Sequence, residues 1–128
     1  MAVVFRELVI DASDAARLAA FWSEVLGWVA VPHGDGDWWV TMPAADGTGD
    51  PERPGPVLTF LAVPEPKSVK NRIHLDLNPS GSDQATELER LLGLGARRVD
   101  VGQGDAPWIV LADPEGNEFC LLERRLDR

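Results

Sequence analysis

Alternation of apolar and polar residues predicts short strands along much of the chain. The first predicted strand, residues 1–10, separates odd-numbered from even-numbered side chains, with two charged residues inside an apolar run. Residues 71–78 alternate most clearly, because Arg72, His74 and Asp76 share one face and apolar residues share the other. The same reasoning predicts further strands at 38–42, 57–63, 97–101, 108–112 and 118–123.

Two helices are predicted where apolar residues recur every three or four positions. Residues 15–26 form the first, with Ser13 or Asp14 as its cap and Gly27 as its end. Residues 83–92 form the second, with a shorter apolar stripe of leucines.

The order of the predicted elements repeats. A strand, a helix ending in Leu-Gly and further strands occur over about 1–63 and again over about 71–124, with a linker at 64–70. The chain, residues 1–128, is therefore predicted to be a single α+β domain of two paired β-α-β-β-β modules. Each module is too small to bury its own sheet face, so we expect a curved mixed sheet around a cleft. Residues 43–56, rich in proline and glycine, are predicted to be a loop.

Composition and charge exclude several classes of function. Lys and Arg number 12 against 21 Asp and Glu, and the net charge of −9 disfavours binding to nucleic acid or to an anionic membrane. No apolar run is long enough to span a membrane, and Arg6 and Glu7 interrupt the N-terminal run, so no signal peptide is expected. Cys120 is the single cysteine, which excludes a disulfide within the chain and favours a cytoplasmic location.

Four segments carry a resemblance to a known family. They are DAARLAAFW at 14–22, VLGW at 25–28, VPEPKSVKNRIHLDL at 63–77 and DPEGNEF at 113–119. In these segments the chain resembles the glyoxalase/bleomycin-resistance/dioxygenase group, the vicinal oxygen chelate superfamily, and within it the glyoxalase-like proteins common in actinobacteria. The resemblance implies the duplicated fold but no single activity, because the superfamily includes isomerases, epimerases, dioxygenases, thiol transferases and drug-sequestering proteins.

The resemblance also implies a metal site. In metal-using relatives, the first and last strands of each module supply the ligands, and three of these positions fall on Glu7, His74 and Glu118. The fourth lies within 57–63, where Thr59 is the single polar side chain and a poor ligand. One imidazole and two carboxylates, with water, can hold one divalent metal ion. Glu118 or Glu7 would be the catalytic base that moves a proton next to a carbonyl.

Each of these three residues also has a purely structural interpretation. His74 can pair with a neighbouring carboxylate without binding metal, since buried polar groups find partners. Glu7 lies between apolar residues and can form an ion pair with an arginine such as Arg72, because an unpaired buried charge is costly. Glu118 follows a turn at 113–117 and can be solvated.

The chain has five tryptophans and no tyrosine, and one of the adjacent pair Trp38 and Trp39 is expected to face the cleft because neighbouring strand residues point to opposite faces. Trp28, Trp39 and Trp108 are the candidate substrate-binding residues, because they lie on or near predicted strands, and core packing is the alternative for each. Indole rings in a cleft favour a flat, largely apolar ligand. His33 is predicted to lie in a loop, and Cys120 to be buried as a small hydrophobic residue.

Two classes of function fit this sequence. The first is a lyase or isomerase of glyoxalase or epimerase type, in which a divalent metal binds a small carbonyl substrate and stabilises an enediolate. The second is a non-catalytic protein that binds or sequesters a small aromatic molecule or drug, with a degenerate metal site. Both take a small-molecule ligand. Superfamily members commonly pair two chains, so the resemblance implies a homodimer.

Overall fold

The computed structural model describes residues 1–52 and 55–127, and the chain divides into two compact units, Met1–Pro66 and Lys67–Arg128. Each unit contains one helix and one four-stranded mixed sheet, in the order β-α-β-β-β. The predicted α+β class and the duplicated module are confirmed. Among the helices of the described ranges, none has the length and apolar character needed to cross a membrane.

The first unit is a sheet covered by a helix. Its elements are β1 (Leu8–Ala12), α1 (Ala15–Leu26), β2 (Val29–His33), β3 (Asp37–Thr41) and β4 (Val57–Ala62). The strands lie in the order β1-β4-β3-β2, with β1 parallel to β4 and the other pairs antiparallel. Val40 of β3 and Phe60 of β4 are buried, as are Leu18 and Trp22 of the helix that packs on these strands.

Helix α1 begins and ends where the sequence predicts. The Asp14 carboxylate accepts a hydrogen bond from the Arg17 N–H at 3.1 Å, which satisfies one of the amide groups left free at a helix start. Gly27 follows the last turn with φ of 67°, a left-handed conformation that favours glycine, and its N–H donates to the Ser23 carbonyl. The prediction for residues 15–26 is confirmed at both ends.

The edge strands of the first unit differ from the prediction. β1 begins at Leu8, the first residue paired with β4, and residues 1–5 leave their apolar side chains exposed. The alternation of apolar and polar residues does not predict β2, because the apolar residues of this strand do not alternate with polar ones. The strand forms because it pairs with β3 across a tight turn at 34–36. His33 is consequently the last residue of β2 rather than a loop residue, and its ring stacks on Trp39 at 3.9 Å.

The predicted loop at 43–56 lies within the described residues except for 53 and 54. Pro43 forms an isolated antiparallel bridge with Gly49. Gly49 approaches β2 so closely that a Cβ atom there would lie 2.9 Å from the Cβ of Val29. The first half of the loop therefore packs on the sheet.

The second unit repeats the arrangement with shorter strands. Its elements are β5 (Asp76–Leu77), α2 (Gln84–Leu94), β6 (Arg97–Arg98), β7 (Ile109–Ala112) and β8 (Glu118–Leu121). The strands lie in the order β5-β8-β7-β6, with β5 parallel to β8. Helix α2 follows Asp83, whose carboxylate accepts the Thr86 N–H at 2.8 Å. It extends beyond the predicted end at residue 92, because Gly95 is the residue that adopts the left-handed conformation, with φ of 117°.

The strand predicted at 71–78 is reduced to β5. The Asn71 N–H binds the side chain of Glu118 at 2.9 Å, so the start of this segment is held to β8 by a side chain instead of the main-chain ladder. Ile73 is consequently 74% exposed rather than part of a packed apolar face.

Candidate functional site

A cavity of about 420 Å³ lies in the second unit, within the roughly 300–1,000 Å³ typical of small-molecule sites. The sheet register builds one wall: Cys120 pairs with Asp76 of β5 on one side and with Val110 of β7 on the other, so the three side chains share a face. The polar lining residues are Lys70, His74, Asp76, Gln103, Glu118 and Cys120. The remaining lining residues are Trp108, Phe119, Gly102, Val101, Val110 and Leu122.

Glu118 stands at the start of β8, and both of its carboxylate oxygens are bonded. Lys67 Nζ donates to Oε1 at 3.0 Å, and the Asn71 N–H donates to Oε2 at 2.9 Å. The side chains of Lys67 and Glu118 are only 18% and 14% exposed. Burial raises the pKa of the Glu118 carboxyl, but the Asn71 N–H and the Lys67 ammonium outweigh burial and hold the pKa below its ordinary value of 4.5. Glu118 is therefore ionised at neutral pH and committed to this ion pair.

The turn at 113–117 fixes the position of Glu118. Asp113 is buried, and its carboxylate accepts the Asn117 N–H at 2.9 Å and the Asn117 side-chain amide at 3.0 Å. The oxygen of that amide accepts a bond from Asn71 Nδ2 at 3.2 Å. Asp113 and Asn117 thus stabilise the turn. Asn117 also gives Asn71 a second hydrogen bond, in addition to the one between the Asn71 N–H and Glu118.

His74, Asp76 and Cys120 form a compact group on the cavity wall. One donor atom from each lies within 4.8 Å of the other two, and His74 Nδ1 lies 3.5 Å from Asp76 Oδ1. Cys120 is buried, whereas His74 and Asp76 are exposed. Burial raises the pKa of the Cys120 thiol, and the neighbouring Asp76 carboxylate raises it further. Imidazole, carboxylate and thiolate groups are all common metal ligands in proteins.

The other predicted site residues lie in the first unit. Glu7 directly precedes β1, Trp28 precedes β2 and Trp39 lies within β3, and all three are partly buried. Thr59 lies on β4 between β1 and β3, and within the described residues its buried hydroxyl oxygen has no hydrogen-bond partner. The grouping of Glu7 with the ligands predicted in the second unit stays a prediction.

His74, Glu118 and Trp108 line the same cavity, and so does Cys120. Cys120 is buried as predicted, but the sequence reasoning missed its place on the cavity wall. The alternation of β8 contains the missing signal: if Glu118 faces the cavity, the residue two positions later shares that face. The same rule places Asp76 on the cavity wall, because it lies two positions after His74, which also lines the cavity.

The two β-α-β-β-β units, each with its first and last strands parallel, define an α+β protein built from duplicated modules. The chain belongs to the glyoxalase-like domain family, whose model matches residues 7–122. A search of curated proteins finds no match to this sequence.

Solved structures share the fold at low sequence identity. The fosfomycin resistance protein FosX from Listeria monocytogenes, complexed with Mn(II) and sulfate, is 13% identical over 96% of this chain and 91% of its own, with a TM-score of 0.67. A glyoxalase/bleomycin resistance protein/dioxygenase family enzyme from Burkholderia phytofirmans PsJN is 15% identical over 91% and 94%, with a TM-score of 0.63. The oxidase ChaP-H2 is 17% identical over 97% and 95%, with a TM-score of 0.59. Identities this low establish the fold alone.

The Mn(II) ion of FosX raises the question of whether the second unit offers a similar donor set. Mn²⁺ is a hard ion that suits carboxylate, carbonyl and water oxygens. The group of His74, Asp76 and Cys120 offers a single carboxylate together with a thiol. Glu118, the other carboxylate of the lining, is bound by Lys67 at 3.0 Å. The cavity residues of the second unit therefore do not fit Mn(II).

Proposed function

We propose that this chain is a non-catalytic binding protein that holds a flat, largely apolar small molecule in the cavity of the second unit. The observation that carries the proposal is the engagement of Glu118. A carboxylate bonded to an ammonium at 3.0 Å and to a main-chain N–H at 2.9 Å is a poor base and a poor metal ligand unless both bonds break. The same bonds lower its pKa, although burial opposes them, and a lower pKa weakens it further as a proton acceptor.

The lining indicates the chemistry of the ligand. Trp108 is 42% exposed at the cavity, so a ligand can cover its indole without displacing a core residue. Aromatic rings gain from stacking on an indole in addition to the apolar area they bury. Lys70 donates to the Asn71 carbonyl at 3.1 Å and has further N–H groups for a carbonyl or carboxylate of the ligand. An aromatic molecule with such a group is the ligand class that fits best.

Replacing Trp108 tests the proposal. A panel of small aromatic carboxylates and their neutral analogues is titrated into the protein by calorimetry. We expect Trp108→Ala to weaken binding at least about tenfold, equivalent to roughly 1.4 kcal/mol, because the stacking surface is lost. Leu92→Ala is the matched control, since Leu92 is a partly exposed apolar residue of α2 outside the cavity lining. Unchanged affinity in Trp108→Ala, or no saturable binding across the panel, would contradict the proposal.

A metal-dependent lyase or isomerase acting on a small carbonyl compound is the second candidate. It is favoured by the presence of His74 and Glu118 on one cavity. In this candidate Glu7, His74 and Glu118 hold one divalent cation, as the family resemblance implies. If one of the two glutamates is the catalytic base, His74 and the other glutamate are the remaining protein ligands, because a carboxylate that serves as the base cannot also be a full ligand.

Elemental analysis of protein purified without chelator separates the two candidates. Stoichiometric metal that is lost in Glu7→Gln supports the enzyme, because Glu7 belongs to that ligand set and is remote in sequence from the second unit. Deuterium exchange from solvent next to the carbonyl of small hydroxycarbonyl compounds gives a second measurement. Ligand binding without such exchange, and without metal that depends on Glu7, supports the binding protein.

A homodimer in the cytoplasm is part of the same proposal, since superfamily members commonly pair two chains. Light scattering at micromolar concentration measures the assembly directly. A species of 14.0 kDa alone would count against the dimer.

A further inference from the structure

We propose that His74, Asp76 and Cys120 bind one borderline-soft divalent cation, with Zn²⁺ as the favoured ion, in a site contained within the second unit. This site goes beyond the binding function above and does not depend on it, because it needs no organic ligand. It also differs from the ligand set that the family resemblance implies, in which two carboxylates from Glu7 and Glu118 would suit a harder ion.

The sheet brings the three donors together. Asp76 and Cys120 are direct partners in the parallel ladder of β5 and β8, and His74 precedes Asp76 by two positions. The donor atoms lie within 4.8 Å of one another. Zinc bonds of about 2.0–2.3 Å in a tetrahedron need donor separations of roughly 3.3–3.8 Å, so the widest donor pair must close by about 1.0–1.5 Å at most. Cys120 is held in β8, whereas His74 and Asp76 are exposed and can rotate about their side-chain bonds.

The donor types select the ion. Forming the metal–sulfur bond releases the proton of the Cys120 thiol to solvent, because the ligand is the thiolate. A thiolate is a soft ligand and an imidazole suits zinc, while the thiolate and the Asp76 carboxylate together balance the charge of a divalent cation. Mn²⁺ gains little from sulfur and would keep only the imidazole and one carboxylate. Glu118 does not convert the group into an oxygen-rich site, because Lys67 and Asn71 bind its two oxygens at 3.0 and 2.9 Å.

Three protein donors leave one tetrahedral position open. All three residues line the cavity that Trp108 also lines. Zinc sites with three protein ligands hold a water or another ligand in the fourth position, whereas structural sites are closed by four. A cation here would give the cavity an anchor for a nitrogen, oxygen or sulfur atom of a bound molecule.

The first test compares Zn²⁺ and Mn²⁺ affinities of the wild-type protein and of Cys120→Ser. Sites of this kind bind Zn²⁺ more tightly than Mn²⁺ whatever their donors, so the decisive quantity is the change in preference when sulfur is removed. We expect Cys120→Ser to weaken Zn²⁺ binding at least about tenfold and Mn²⁺ binding less than about twofold. His74→Ala should also weaken Zn²⁺ binding. His33→Ala, at the other histidine of the chain, is the matched control and should leave it unchanged.

Cobalt gives a second measurement that reports the donor itself. A cobalt–thiolate bond produces an intense near-ultraviolet charge-transfer band, which we expect for wild type with Co²⁺ and not for Cys120→Ser. Circular dichroism verifies that each variant is folded. A wild-type cobalt complex without the band, or a Cys120→Ser protein with an unchanged ratio of Zn²⁺ to Mn²⁺ affinity, would each overturn the proposal. The organic-ligand titration is carried out on metal-free protein, so the two proposals fail separately.

Discussion

Replacing Glu118 with glutamine tests how much the charge of this side chain contributes to the free energy of unfolding. The substitution keeps the length and shape of the side chain but removes the negative charge that Lys67 contacts at 3.0 Å. The Asn71 N–H, 2.9 Å from the other oxygen, can still donate to an amide oxygen. The main interaction lost is therefore the ion pair.

The burial of the pair sets the magnitude of the effect. Exposed ion pairs contribute about 0–1 kcal/mol, whereas removal of one partner from a fully buried pair costs about 3–5 kcal/mol. Because the two side chains are 14% and 18% exposed, we expect Glu118→Gln to lower the free energy of unfolding by about 1–3 kcal/mol. In urea this corresponds to a midpoint shift of roughly 1 M, for a typical dependence of about 2 kcal/mol per molar.

The same pair predicts a pH dependence. Burial raises the pKa of Glu118, but the Asn71 N–H and Lys67 hold it below the ordinary value of 4.5. A carboxyl with a lowered pKa in the folded state stabilises the fold above the unfolded value and loses that contribution as pH falls through the folded value. The stability difference between wild type and Glu118→Gln should therefore be constant from about pH 7 to 6 and shrink once the pH falls below about 4.5.

Glu52→Gln is the matched control for the urea measurement. Glu52 pairs with Arg6 at 3.2 Å, but its side chain is 74% exposed, so little change is expected. A double-mutant cycle of Glu118→Gln with Lys67→Met isolates the pair from other effects of each substitution. Equal midpoint shifts for the two glutamines, or strict additivity in the cycle, would refute the reasoning.

Three further predictions concern packing, and urea denaturation checks each of them. Trp22→Ala should lower the free energy of unfolding by about 3–5 kcal/mol, because the indole is only 2% exposed; a loss below about 1 kcal/mol would contradict its place in the core. Gly49→Ala should destabilise the first unit, since the new Cβ would lie 2.9 Å from the Val29 Cβ, and unchanged stability would show that the loop moves aside. Gly93→Ala should stabilise α2 by about 0.5–1 kcal/mol, because no atom lies within 4 Å of the new Cβ and glycine is unfavourable inside a helix; a loss of stability would disprove this.

Both ends of α1 were predictable because their signals are local, whereas α2 continues past Gly93 to a cap at Gly95. Asp14 and Gly27 lie next to the turns they cap, and α1 occupies the predicted residues. Strand lengths were less predictable, because a strand extends only as far as its partner. Residues 1–5 have a strand-like pattern but no partner in the first sheet, and the segment before β5 is held by a side chain.

The candidate site was predictable only in part, because some of its contacts join residues that are far apart in the sequence. Strand alternation and the family resemblance placed His74 and Glu118, and both line the cavity. The ion pair of Lys67 and Glu118 joins residues 51 positions apart, and Lys67 lies in the stretch predicted to be a linker. The local sequence pattern therefore could not predict this pair. The wall position of Cys120 could have been derived from Glu118, since alternate residues of a strand share a face.

In the first unit, β4 is central and joins β1 to the hairpin of β2 and β3. It is also the last strand of that unit to be synthesised, so the ribosome releases α1, β2 and β3 before the strand that completes the sheet under the helix. Closing such a long loop costs entropy before any contact repays it, which slows folding. A nascent chain that has not yet reached residue 57 therefore lacks the strand that joins β1 to the hairpin of β2 and β3 and that covers part of α1. Chaperones and proteases would find their best opportunity to bind this protein at that stage of translation.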